Sequence, residues 1–185
     1  ILEPSSQQEA YDIMPYAFAL SEQLRPPVLM RVVTRLAHSR AGVETVEPIA
    51  QNKLNPDNER THWVLLPGNA RRQYASLVAK QEQLLASSEN SPYNKLHSAE
   101  RAAIGVVACG IAYNYVMENA PEKAGIPVLK VSQYPLPKAA IKALAEKCDA
   151  LLIAEDGQPV VEEQVKALLG ADYTVKGRLT GDLPR

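Results

Sequence analysis

The chain is poor in cysteine: Cys109 and Cys148 are the only two in 185 residues. Lying so far apart, they cannot make a CxxC pair, and on their own they complete neither a zinc site nor an iron–sulfur ligand set. Each stands beside an apolar segment, and both are expected to be small buried hydrophobes in a reducing compartment. Net charge is nearly absent, with 20 Lys plus Arg against 21 Asp plus Glu giving −1. That balance lacks the clustered positive charge of a nucleic-acid footprint, so no nucleic-acid partner is expected. Long apolar runs are missing too: Val106-Val107-Ala108-Cys109 is typical, far short of the roughly 20 residues a spanning helix needs. No membrane association is expected. No basic-then-apolar leader opens the chain, and Ile1-Leu2-Glu3-Pro4 reads as the tail of a strand entering a helix. A cytoplasmic piece of a longer polypeptide is the expectation. A full GxGxxG, a GK[ST] loop, a Ser-His-Asp set, metal-ligand spacing of histidines and internal repeats are all missing, so the residues alone name no catalytic group and no metal site.

What is present alternates. Ser5-Ser6-Gln7-Gln8-Glu9 has helix-start spacing, Ser5 with Gln8 or Ser6 with Glu9. Ala10, Ile13, Met14, Ala17, Leu20 and Leu24 follow as one apolar stripe, with Pro15 expected to kink the helix and Arg25-Pro26-Pro27 to stop it. Residues 28–33 carry β-branched weight and are expected to form a strand. Residues 36–70 have no sustained period, which in a compact domain marks a functional segment or a linker, with a short strand expected at 61–66. The spacing predicts a helix over 69–87 with Tyr74, Leu77, Val78, Leu84 and Leu85 on its apolar side, bridging two bodies. Strands are then expected at 103–108, 128–131, 150–155 and 173–179, alternating with helices at 111–119, from Pro137 through Ala145, and at 159–169. That alternation specifies an α/β fold, a parallel sheet with helices on both faces.

Three groups of residues are candidates for chemistry. Arg31, Thr34, Arg35 and His38, with Ser39 and Arg40, form the densest polar cluster, where a strand gives way to loop. Ligands bind beyond the carboxyl ends of strands in open parallel sheets, and guanidinium groups there suit a carboxylate. The same residues could instead pair with Glu44 and Glu47 or dock on a neighbouring subunit. Gly110 and Ile111 sit at a strand-to-helix turn whose free N–H groups suit an anion, although close packing of helix on strand explains the glycine better. Glu155-Asp156-Gly157 and Glu162-Glu163 place acids at a helix start, where they complement its dipole.

Several stretches resemble the alpha subunits of indolepyruvate ferredoxin oxidoreductases, thiamine-diphosphate-dependent 2-oxoacid oxidoreductases. They are Glu3-Pro4-Ser5-Ser6-Gln7-Gln8-Glu9-Ala10-Tyr11-Asp12, Pro27-Val28-Leu29-Met30-Arg31 with Thr34-Arg35 and His38-Ser39, Gly110-Ile111-Ala112-Tyr113-Asn114-Tyr115-Val116, Tyr134-Pro135-Leu136-Pro137, Val161-Glu162-Glu163-Gln164-Val165 and Gly177-Arg178-Leu179-Thr180-Gly181-Asp182-Leu183-Pro184-Arg185. The resemblance implies a parent enzyme that oxidatively decarboxylates arylpyruvates to aryl-acyl-CoA and reduces ferredoxin, using thiamine diphosphate with Mg and iron–sulfur clusters. It implies that residues 1–66 are the C-terminal part of a pyrimidine-type thiamine-binding domain, that 67–100 are a linker with a bridging helix, and that 101–185 are a transketolase C-terminal-like domain. None of the cofactor sites would be complete in this stretch, which would serve domain packing and subunit assembly. Its partners would be the remaining domains of the parent chain and a beta subunit, with ferredoxin and CoA for the whole enzyme and with a homo-oligomer as one arrangement. Arg31, Thr34, Arg35 and His38 would lie near substrate or a domain interface. The alternative is a stand-alone nucleotide- or CoA-binding α/β module using the Gly110 turn.

Overall fold

A computed structural model describes residues 1–97 and 101–184. Residues 98–100, at the end of the expected linker, and Arg185, the last residue of the terminal motif, lie outside the described residues.

The first helix, α1, spans Gln7–Leu24 without interruption at Pro15. Ser6 is its extended N-cap and accepts from Glu9 N at 3.1 Å, one half of the expected capping pattern. The Glu9 carboxylate turns to Ser5 instead, accepting from its N–H at 2.7 Å and its hydroxyl at 2.5 Å. Arg25 ends the helix with φ 74°, its N–H donating to Ser21 O. The buried row is Glu9, Ile13, Ala17, Leu20 and Leu24. Met14, expected on that row, faces outward, because steps of four from Glu9 and Ile13 put it on the adjacent face.

The strand expected over 28–33 shrinks to a single parallel bridge between Leu2 and Met30, with Leu2 N donating to Leu29 O and Arg31 N to Leu2 O. A β-branched run makes a strand only where neighbours supply partners, and here Leu2 alone does so. Next come α2 (Thr34–His38), α3 (Arg60–Trp63), α4 (Pro67–Ala79) and α5 (Gln81–Glu89). α3 replaces the strand expected at 61–66; the Glu59 carboxylate accepts from Thr61 N and caps that turn. The helix expected over 69–87 divides at Lys80, whose Nζ donates to Leu24 O at 3.1 Å. Of its stripe, Leu84 packs on the α1 core while Tyr74, Leu77 and Val78 stay exposed.

The sheet contains β1 (Lys95–His97), β2 (Ala102–Cys109), β3 (Val128–Val131), β4 (Cys148–Ala154) and β5 (Thr174–Lys176), in the order β1-β3-β2-β4-β5. β1, unforeseen from sequence, pairs antiparallel with β3; every other pairing is parallel. Period-2 alternation sends the two faces to different helices. Val107, Cys109, Leu129, Val131, Leu151 and Ile153 pack against α7 (Lys138–Ala145) and α8 (Val160–Leu169) through Ile141, Leu144, Val161 and Val165. Val106, Ala108, Val128 and Ala154 pack against α6 (Ala112–Glu118). Fully burying side chains such as Ile141 or Leu144 contributes about 1.5–3 kcal/mol each. Helices thus cover both faces, as expected for an α/β parallel sheet.

The chain leaves β2 toward the α6 face and β4 toward the α8 face. The crevice between the carboxyl ends of β2 and β4 is therefore the topological switch point, where open α/β sheets take ligands.

Candidate functional site

The N-terminal segment runs into that crevice. Glu3 N donates to Ser132 O at 2.7 Å, just beyond β3, and Tyr134 N donates to Ile1 O at 2.9 Å. These bonds fix Glu3 so that its side chain, 1% exposed, lies over the turn after β2. Tyr134 OH donates to Glu3 Oε2 at 2.8 Å, and Arg31 Nη1 stands 3.1 Å from Oε1. Arg31 Nη2 donates in turn to Asp156 O, just past β4, at 2.8 Å. One carboxylate and one guanidinium thereby tie the ends of β2, β3 and β4 to the chain start.

Gly110 has φ +50°, and the Glu3 side chain occupies the space a β-carbon there would need. Its N–H donates to Val131 O at 3.3 Å. The turn suggested as an anion cradle is thus covered by a carboxylate of the same chain, and Ile111 beside it is buried. Behind it, burial pushes the Cys109 thiol and the Tyr134 hydroxyl well above their ordinary ranges. Cys109 is therefore no ready thiolate.

Outside this plug the structure brings Arg31, Thr34, Arg35 and His38 together on one open cleft of about 720 Å³, closed on its far side by Asp156 and Gly157. α2 is seated by its one buried residue, Leu36. Arg35 lies over the Tyr115 ring, 5.5 Å from its centroid, a cation–π contact that orients the guanidinium. Arg178 donates to Gly157 O and stands 4.0 Å from Asp156 Oδ1. The cleft floor is cationic with one carboxylate, suited to an anionic group arriving from outside. Ser39, the cluster's next member, instead meets Gln7 Nε2 at 2.6 Å, and Gln8 exchanges hydrogen bonds with the Glu44 backbone.

The acids after β4 keep the helix-start role suggested for them. Glu155 accepts from Val161 N and Glu162 N, each at 2.8 Å, satisfying free donors of α8. Burial raises its pKa against the lowering effect of those two bonds. Glu162, 1% exposed, accepts from Leu179 N at 2.9 Å and pairs with Lys166 at 2.9 Å.

Sequence reasoning gave Glu9 only a helix-start role and assigned none to Glu3, Asn94, Lys130, Gln133 or Tyr134, yet they join the chain's halves. Lys130 Nζ lies 2.7 Å from Glu9 Oε1 and 4.8 Å from the Tyr113 ring centroid. Asn94 Oδ1 accepts from both Ser132 N and Gln133 N at 2.8 Å. Tyr16 OH donates to Gln133 Oε1 at 2.7 Å. The available signal was weak: Glu3, Glu9 and Tyr134 fall in the resembling stretches, but their partners lie more than a hundred residues away in the chain.

The residues present do not fit the iron–sulfur clusters the resemblance implies. A cubane cluster bound by protein takes four thiolates, and this chain has two cysteines, both free and buried. Among the described residues no group of three or more His, Cys, Asp or Glu is placed to hold a metal ion. No helix among them is long and apolar enough to cross a membrane.

No family model matches the chain. Indolepyruvate oxidoreductase subunit IorA of Methanothermobacter thermautotrophicus is 35% identical over 194 residues, covering 100% of this chain and 31% of the relative. IorA of Thermococcus kodakarensis is 34% identical, over 90% of this chain and 27% of its own length. IorA of Archaeoglobus fulgidus is 31% identical, over 100% and 30%. In sequence the chain is similar to one segment of these IorA subunits. It spans about a third of the length of the curated relatives it matches. Among solved structures, a 2-oxoglutarate:ferredoxin oxidoreductase from Magnetococcus marinus superposes on 62% of this chain and 21% of its own, at 14% identity and a TM-score of 0.47. The IorA similarity includes the segment that places Glu3 over Gly110 and the one that bears Arg31, Thr34, Arg35 and His38, since the alignment covers the whole chain.

Proposed function

We propose that this chain is the part of a 2-oxoacid:ferredoxin oxidoreductase alpha subunit, acting on arylpyruvates such as indolepyruvate, that serves domain packing and subunit assembly. The observation that carries the reading is the filled crevice. Where an open parallel sheet takes its ligand, this one holds Glu3, Arg31 and Tyr134 of its own chain. In this reading Gly110 and Ile111 seat Glu3 rather than a phosphate. Residues 1–66 are the last part of a pyrimidine-type domain, 67–100 bridge, and 101–185 are a transketolase C-terminal-like body. Thiamine diphosphate with Mg and the iron–sulfur clusters are held by other parts of the enzyme, where the thiamine supplies the carbanion-stabilising group. The partners are those other domains and a beta subunit, with CoA and ferredoxin meeting the assembled enzyme. Arg31, Thr34, Arg35 and His38 offer their cationic cleft to a carboxylate of a neighbouring domain or of the 2-oxoacid.

The test is an assay with a viologen acceptor, CoA, Mg and thiamine diphosphate. The 185-residue chain alone should turn over neither indolepyruvate nor 2-oxoglutarate. A full-length alpha subunit carrying this segment, with its beta subunit, should oxidise indolepyruvate and phenylpyruvate in preference to 2-oxoglutarate and pyruvate. Turnover by the chain alone would overturn the packing role, and a preference for 2-oxoglutarate would overturn the arylpyruvate assignment. In the full enzyme, Arg35→Gln or His38→Gln should raise KM for the oxoacid or lower the alpha–beta affinity; no change in either would remove the cleft from the reading.

A further inference from the structure

Two of the cations around the cleft are already committed. Arg31 is held between Glu3 Oε1 at 3.1 Å and Asp156 O at 2.8 Å, and Arg178 donates to Gly157 O beside the Asp156 carboxylate. Arg35 differs from both. It is exposed, and among the described residues no carboxylate stands within ion-pair distance of it. Its guanidinium lies instead over the Tyr115 ring, 5.5 Å from the centroid. His38, three residues on and exposed, shares that side of α2.

The ring belongs to the C-terminal half of the chain. Tyr115 stands in the middle of α6, and the residues before it fix that helix. Ala112 is buried, and Asn114 Nδ2 donates to Ser5 O at 2.6 Å. The Tyr113 hydroxyl meets His97 Nε2 at 2.9 Å, while Lys130 Nζ lies over the Tyr113 ring at 4.8 Å. Tyr115 itself is 38% exposed and is not among the residues that line the cleft. An unpaired surface arginine samples many rotamers, and that freedom is lost when it closes on an anion. A ring face restrains the side chain beforehand by attracting its charge. A ring also carries no net charge, so Arg35 keeps its positive charge for a ligand, whereas Glu3 neutralises Arg31.

We infer that Tyr115 is a positioning residue, whose ring presents Arg35 to the carboxylate of the 2-oxoacid. The inference rests on the cleft's being an anion site, and adds that the C-terminal half sets its free guanidinium in place. The test uses the full-length alpha subunit carrying this segment, with its beta subunit, and indolepyruvate as the varied substrate. Tyr115→Leu keeps an apolar side chain but removes the ring. It should raise KM about two- to fivefold at constant kcat, the range an exposed cation–π contact supplies. Tyr115→Phe, which keeps the ring, should bring KM back to the parent value. Loss of folded enzyme would lower kcat and leave KM in place, so the split between the two constants separates positioning from structure. On an Arg35→Gln background, Tyr115→Leu should raise KM no further.

An unchanged KM in Tyr115→Leu, a Tyr115→Phe enzyme that behaves like Tyr115→Leu, or a further rise on the Arg35→Gln background overturns the positioning role and leaves the cleft reading standing. An Arg35→Gln enzyme with parent KM but weakened alpha–beta affinity gives the cleft to a neighbouring domain, and again overturns the positioning role alone. Arg35→Gln with both KM and alpha–beta affinity unchanged overturns the two together.

Discussion

Glu3 lies against Gly110 so closely that a β-carbon built on the glycine would fall 2.7 Å from Glu3 Cγ. Gly110 also holds φ +50°, a conformation that costs an L-residue about 1–2 kcal/mol. Gly110→Ala therefore meets two penalties, one in its own backbone and one from a buried carboxylate that cannot yield without leaving Tyr134 and Arg31. With overpacking at about 1–3 kcal/mol, the total loss should be about 2–5 kcal/mol in urea unfolding. Shortening the neighbour in Gly110→Ala/Glu3→Ala should recover the steric part but not the backbone part.

Lys130 and Glu9 form the other buried contact between N-terminal helix and sheet, each side chain only about a tenth exposed. Removing one member leaves an uncompensated buried charge, which costs about 3–5 kcal/mol. Lys130→Met and Glu9→Gln should each destabilise strongly. Lys130→Met/Glu9→Leu should lose much less than the sum, because the double change leaves no charge buried alone. A double-mutant cycle by chemical unfolding measures the coupling; additive losses would mean the ammonium and carboxylate are stabilised separately, by Tyr113 and Ser5.

The elements that sequence makes visible are those whose signals are local. β2, β3 and β4 are short apolar runs bounded by turns, and α7 and α8 follow prolines with apolar residues at helical spacing. The strand expected at 28–33 failed because a β-branched run states a tendency and not a partner, and only Leu2 pairs there. The stretch after α2 misled in another way: Thr61 to Leu66 has strand composition, but Asp57 and Glu59 draw the backbone into a helical turn. At the cleft, the spacing of Arg31, Thr34, Arg35 and His38 was readable because all four lie within eight residues. Glu3 and Tyr134 were not, since a buried hydrogen bond between residues 131 apart leaves no mark in local composition.

Glu155 gives a pH dependence with a defined sign. Burial raises its pKa above the ordinary 4.5, so the folded chain holds a proton that the unfolded chain releases. The folded state then binds more protons than the unfolded one across that interval, and stability falls as pH rises from 4.5 through the raised value, levelling off above it. Glu155→Gln keeps one oxygen for the α8 amides and cannot ionise. The difference in unfolding free energy between parent and variant should therefore change over that interval and be flat on either side. A flat difference throughout would show that the two N–H bonds balance burial, and a parent stability that rises with pH below 4.5 would show that they outweigh it.

Asn94 is the residue whose loss should most disturb the loop after β3. Its Oδ1 accepts from Ser132 N and Gln133 N, while its Nδ2 donates to the carbonyls of Ser88 and Gln133. Asn94→Ala leaves the Ser132 and Gln133 N–H groups without their acceptor, while the Gln133 and Ser88 carbonyls keep Ser88 Oγ and Ser91 N as donors; at about 1–3 kcal/mol per unsatisfied buried group the loss should reach about 2–5 kcal/mol. Asn94→Asp separates the two halves of the amide's work. The ionised carboxylate can still accept from Ser132 and Gln133, but it offers no donor and sets negative charge beside two carbonyl oxygens. Protonation restores one donor. Asn94→Asp should therefore be destabilised relative to the parent at neutral pH and recover part of that loss in acid, whereas Asn94→Ala should show the same deficit at both. If Asn94→Asp instead matches the parent across pH while Asn94→Ala does not, the contribution of Asn94 lies in accepting from the loop amides alone, and its Nδ2 bonds to Ser88 and Gln133 add nothing measurable.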